Sequence, residues 1–258
     1  MLGFELSSSP SETFALLALA ALAVYAVLGV GSYFVFFVWG RRRFHPGYTP
    51  PPGENRRAVL LSLANVIGGA ALVCPMYLLV AAGHTRVYFA VDERGVAWLL
   101  ASALLLLFFV ETLVYWIHRA LHTPLLYRVL HRPHHAFRVP NALASFAFHP
   151  LDAFAQSLPI HLFALLVPTH IAVYLGFLSV TMVWTFLIHL RVPLVRWRGI
   201  NNTSHHTVHH WFQKYNLGQF FTLWDRIGGT YRSPDALPAH LAPPADAQGA
   251  AQEALRVP

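Results

Sequence analysis

Three long apolar stretches, residues 13–39, 58–82 and 96–117, are each long enough to cross a bilayer, whose hydrocarbon core of roughly 30 Å takes about 20 helical residues. Inside hydrocarbon each backbone N–H and C=O must pair within its own segment, so such stretches fold as helices. A fourth apolar region, 151–190, contains Pro159 and Pro168 and reads as a hairpin of two helices breaking near Thr169-His170. Whether that hairpin spans fully or only re-enters is open from sequence. Gly68-Gly69 and Pro75 interrupt the second stretch, which a membrane helix tolerates. Composition agrees: charged residues make up 11% of the 258, against about 25% in an ordinary soluble domain. The expected fold is all-α, a multi-pass membrane helical bundle with a cytoplasmic, histidine-rich di-metal cap. Two N-terminal spans occupy residues 1–95 and the histidine-bearing domain 96–233. The Pro- and Ala-rich tail, 234–258, is expected to be disordered.

Orientation follows from the basic residues. Arg41, Arg42 and Arg43 close the first span and Arg56 and Arg57 open the second, whereas loop 83–95 is neutral. The positive-inside rule makes the first loop cytoplasmic and leaves Glu5 and Glu12 outside. Arg119, Arg128, Arg132 and Arg138, then Arg191, Arg196, Arg198, Lys214 and Arg226, fall on the same side. The net charge of +7 therefore reflects topology, and the basic residues form no aromatic-laced patch for nucleic acid. A single cysteine, Cys74, excludes an intramolecular disulfide framework and a thiolate metal site. The first forty residues lack Lys and Arg, so no secretory signal is read.

Sixteen histidines are the second anomaly. His118 and His122 are spaced to share one helix face at the end of the third span. Glu111 and Tyr115 lie on that stripe, and a carboxylate inside a span needs a polar partner. Glu111 is read as an acceptor for the second nitrogen of a ligand histidine. His131, His134 and His135, and later His206, His209 and His210, both have the form H-x-x-H-H. Such spacing lets neighbouring rings serve two metals. Imidazole suits iron, zinc, copper and nickel, and eight nitrogens exceed the four of a structural zinc site. Two metals sharing the set is the natural reading. Two irons can reduce dioxygen to an oxidant able to take hydrogen from an unactivated carbon; zinc, although possible as isolated, has no redox chemistry. A metal transporter would instead put ligands near the midplane rather than at span ends.

These motifs resemble those of the fatty acid hydroxylase superfamily, and most of all its sterol C-5 desaturases. The residues carrying the resemblance are 115–119, 147–152 (Ala-Phe-His-Pro-Leu-Asp), 156–161, 204–210 and, most specifically, 215–230, within roughly residues 100–233. The resemblance implies iron at all three motifs and further ligands from the hairpin, His189 first and His149 next. His161 follows as a further ligand or else lines the substrate pocket, while His170 is expected to sit at the far turn and His205 to stand behind the ligands. Alternation along the clusters suggests His118, His122, His131, His135 and His209 for one ion, and His134, His189, His206 and His210 for the other. Asp225, in the Trp224-Asp225-Arg226 turn, is read as orienting a ligand ring. His45-Pro46-Gly47 is like the haem loop of cytochrome b5, but the loop between the spans is too short for that module. Electrons are therefore expected from a separate donor, of cytochrome b5 or ferredoxin type. The substrate is expected to be a sterol or another membrane lipid, with desaturation of a Δ7-sterol at C5 ahead of lipid, fatty acid or carotenoid hydroxylation. Ala- and Arg-rich composition and short loops favour a bacterial inner membrane over the endoplasmic reticulum.

Overall fold

The computed structural model describes residues 9–236. Glu5 and all but the first three residues of the expected disordered tail lie outside the described residues, and Pro234–Ala236 form one 3-10 turn. Among the described residues four helices are long and apolar enough to cross a membrane: α1 (Pro10–Trp39), α2 (Glu54–Ala81), α3 (Gly95–Leu121) and the returning arm of the hairpin, Ile171–His189. α1 begins on a capping Ser9 with Pro10 at its first position, where a missing N–H costs nothing. Its second half, Tyr25–Gly31 and Tyr33–Trp39, is wound in wider π turns. Leu104 and Phe108 on α3 stay exposed, as expected of side chains meant for lipid.

After α3 a short helix, α4, runs over residues 124–135, with π turns over Tyr127–His131. The hairpin is α5 (Pro150–Leu166) and α6 (Ile171–His189). It breaks where Pro168 predicts. Between the arms β2 (Thr169–His170) pairs in parallel with β1 (Val87–Tyr88), and the Trp98 indole donates to Pro168 O at 2.9 Å. These contacts tie the start of α3 to the hairpin tip. α3 and α6 therefore run side by side in one direction, and α3 spans about 40 Å at ~1.5 Å per residue. Val110, Val114, Ile160, Phe163 and Tyr174 pack between α3, α5 and α6. At the other end sit α4, α7 (Thr203–Phe212) and α8 (Leu223–Ile227).

Candidate metal centre

Nine imidazoles converge at that end, in two groups. His118, His122, His131, His135 and His209 form one; His134, His189, His206 and His210 form the other. Within each, one nitrogen per ring lies within 4.8 Å of all the others. Those are the two sets that alternation along the clusters predicts. α3 brings His118 and its C-cap His122 to its end, α4 carries three rings, α6 one and α7 three. All are buried except His122, which is half-buried.

A neutral imidazole has one N–H, so whatever takes that proton decides which nitrogen keeps a lone pair. His118 Nδ1 donates to Leu217 O (2.8 Å), His189 Nδ1 to Thr185 O (2.6 Å) and His209 Nδ1 to Tyr215 O (2.8 Å). His131 Nδ1 meets Asp152 Oδ2 at 2.7 Å. Each Nε2 is left as an acceptor turned inward. There His118 Nε2 and His131 Nε2 face each other at 3.1 Å, and His189 Nε2 faces His206 Nε2 at 3.1 Å. The Nε2 atoms of His122 and His209 are buried without a hydrogen-bond partner. Converging lone pairs with no proton between them are what a cation would satisfy, so this donor set fits metal ions. Burial first, then the neighbouring His131, depresses His122 to about 3. Burial and neighbouring rings hold His134, His135, His206, His209 and His210 well below the usual range. All stay unprotonated at neutral pH, as metal ligation requires.

The supporting shell differs from expectation. Asp152, fully buried at the start of α5, is the carboxylate that meets a ring, and Gln156 Nε2 donates to its other oxygen at 2.8 Å. Asp152 belongs to the 147–152 motif, where no spacing ties it to a histidine. Its presence in the first turn of an apolar helix was the available signal. Glu111 and Asp225 reach no imidazole. Glu111 accepts the backbone amides of Phe220 (2.9 Å) and Phe221 (3.0 Å), and Asp225 those of Leu217 (2.7 Å) and Gly218 (2.9 Å). Their target is loop 217–221, whose Leu217 carbonyl in turn orients His118. Backbone amides needing acceptors inside the protein captured both carboxylates. Asn201 Nδ2 adds a close hydrogen bond to Gly218 O.

His149 does not join either group. Its Nδ1 accepts from Leu151 N at 3.2 Å, capping α5. His205 lies behind the site, bonded to Asn202 Oδ1 at 3.1 Å, and burial depresses it to about 4. His170 is at the hairpin tip, against Phe89 O at 3.0 Å.

Residues 103–230 match the fatty acid hydroxylase family. Human lathosterol oxidase is 36% identical over 231 residues, covering 84% of this chain and 77% of its own length. The Delta(7)-sterol 5(6)-desaturases of Eremothecium gossypii and Saccharomyces cerevisiae are each 39% identical, over 209 and 204 residues. Those alignments cover 80% and 77% of this chain, and 59% and 55% of the fungal proteins. The chain belongs to the fatty acid hydroxylase family. It is accordingly a membrane oxidoreductase with a histidine-built metal site. No solved structure matches it. The relatives also correct one expectation. They are eukaryotic sterol desaturases, from human, rodents and fungi, and a bacterial inner membrane has no support. Alanine content and loop length do not encode a compartment.

In this member of the fatty acid hydroxylase family the two groups share a wall with a cavity of about 290 Å³. His118, His131, His134, His189 and His206 line one end, and the rest is mostly apolar, between α1, α2, α5 and α6. Phe148 stacks on His134, ring centroids 3.8 Å apart. His161 lines the cavity away from the metal groups, its Nδ1 on the Tyr174 hydroxyl at 2.7 Å and its Nε2 buried without a partner.

Proposed function

We propose that this chain is a di-iron, dioxygen-dependent sterol desaturase that introduces the Δ5 double bond into a Δ7-sterol at the cytoplasmic face of the membrane. The carrying observation is that an apolar, helix-lined cavity ends on two converging histidine groups. The first group holds one iron, through His118, His122, His131, His135 and His209. The second holds another, through His134, His189, His206 and His210. Two irons, when bound, supply the reduction of dioxygen to an oxidant strong enough to take hydrogen from an unactivated carbon.

The chain's own residues do the rest. Leu217 O, Thr185 O, Tyr215 O and Asp152 hold four ligand rings in the tautomer with Nε2 unprotonated. Val66, Ala70, Val73, Phe146 and Leu178 exclude water and accept the ring system of a lipid. Overall, two hydrogens leave adjacent carbons; with two electrons and two protons from outside they reduce one dioxygen to two waters. The two external electrons come from a separate donor of cytochrome b5 or ferredoxin type. Residues 96–233 form the oxidising domain, and the helices of 1–95 close its pocket. The sterol names of the relatives support the substrate; the broader family match supports lipid hydroxylation on the same scaffold as the second reading.

The test is expression in a sterol-fed host with product analysis. The wild type is expected to convert a Δ7-sterol to its Δ5,7 product, and His134→Ala and His209→Ala to make none. A hydroxylated product instead would select the second reading.

A further inference from the structure

Reducing dioxygen to two waters takes four electrons and the substrate supplies two, so two more must arrive in every turnover. The sterol cavity occupies one side of the histidine groups, which leaves the other side for electron entry. Of the nine rings only His122 comes to the surface. Tyr127, half-buried on α4, stacks on it with centroids 5.6 Å apart at 29°, and lies 5.9 Å from His135. Arg132 and Gln213, the residue that caps α7, lie close to the Tyr127 hydroxyl. Around this ring Leu125, Leu126, Arg128, Val129, Arg132 and Lys214 are exposed. No Asp or Glu occurs between Glu111 and Asp225 except Asp152, which is fully buried.

Cationic and apolar side chains alternate on this face. A helix lying on a bilayer segregates them to opposite sides, whereas a protein interface mixes an apolar centre with Arg. Uniform positive charge calls for an acidic partner and speeds its encounter.

We propose that the face built on Tyr127, Arg128, Arg132 and Lys214 docks an acidic one-electron carrier, whose electrons enter beside Tyr127 at the His122 edge of the first histidine group. The inference rests on the desaturase reading, because that reaction sets the electron demand. Two successive docking events supply the pair.

The experiment titrates the full chain in nanodiscs, metal-loaded and metal-free, with the soluble haem domain of cytochrome b5 as the acidic probe. Arg128→Glu/Lys214→Glu is expected to weaken Kd about tenfold or more and to flatten its salt dependence. Arg42→Glu/Arg43→Glu, on the separate Arg41–Phe44 turn, is expected to leave Kd within about twofold. Equal Kd for wild type and Arg128→Glu/Lys214→Glu overturns the proposal, as does equal weakening in the control pair. A lipid-facing role would leave Kd unaltered and make the double variant's unfolding temperature follow the anionic lipid content, which also overturns it. Product analysis on the same samples keeps the two ideas apart. Failure of the wild type to form a Δ5 product rejects the desaturase reading, while the binding result judges the docking face by itself.

Discussion

An imidazole meets a cation through its unprotonated nitrogen, and the partner of the other nitrogen keeps it so. Asp152 does this for His131 with a side-chain carboxyl oxygen, where His118, His189 and His209 use backbone carbonyls. Asp152→Asn is expected to lower metal content after purification about 10- to 100-fold in affinity, with helix content unchanged by circular dichroism. Wild-type metal retention in this variant would deny Asp152 that role. The depressed imidazoles carry a second prediction. Their proton affinity is lower in the folded chain than in the unfolded one, where pKa is about 6.5. Below that pH the unfolded chain binds more protons. The stability contribution is therefore complete above about 6.5 and is lost as pH falls toward the values of about 3 for His45 and His122 and about 4 for His205. Metal-free protein in detergent is expected to unfold at lower temperature at pH 5 than at pH 7.5. The grouping of the rings was legible because spacings of three and four fix a helix face. The role of Asp152 was not, because α5 crossing α4 decides which carboxylate meets which ring, across 21 residues of sequence.

At the scale of elements, the least regular one does the orienting. Loop 217–221 has its backbone held by Glu111 from α3 and Asp225 from α8, and gives one carbonyl to His118. Gly218 sits where a Cβ would press on the Phe221 backbone oxygen, 3.0 Å from Asp225 Oδ2 and 3.4 Å from Glu111 Oε1. Gly218→Ala is expected to destabilise the chain by about 1–3 kcal/mol. The same change should loosen metal binding, read as a lower Tm and faster loss of metal to a chelator. Unchanged Tm and metal off-rate would show that the loop yields without moving Leu217. The sequence pointed to 215–230 as the most specific block of the resemblance, and to polar partners for both carboxylates, but a backbone amide leaves no trace in a side-chain pattern. The hairpin break was readable from Pro168, whereas the pairing of Thr169–His170 with Val87–Tyr88 joins segments about eighty residues apart and has no local signal.

Over the whole molecule, the helices that resembled the family only as hydrophobic spans turn out to wall the cavity. Leu17 and Ala21 of α1 and Asn65, Val66, Gly69 and Val73 of α2 line it. Apolar residues facing lipid and apolar residues facing a pocket use the same letters, so only packing separates them. Asn65 is the exception, an amide inside an apolar span, which is costly without a partner. Its Nδ2 donates to Phe146 O at 3.1 Å, while its Oδ1 is buried and accepts nothing. Phe146 and Phe148 connect this side of the cavity to His134. A Δ7-sterol reacting at C5 carries its hydroxyl on C3, two carbons away, so that hydroxyl also lies at the metal end of the pocket. Asn65 Oδ1 is one unpaired acceptor in that wall, and a buried acceptor left unpaired costs about 1–3 kcal/mol. Asn65→Leu is accordingly expected to raise KM for the free sterol about tenfold, with kcat and metal content little changed. It should also abolish the preference for the 3-hydroxysterol over its 3-deoxy analogue in binding to metal-free protein. Were the variant to keep that preference, the hydroxyl would be recognised elsewhere along the wall, and Asn65 would serve only to hold Phe146 in place.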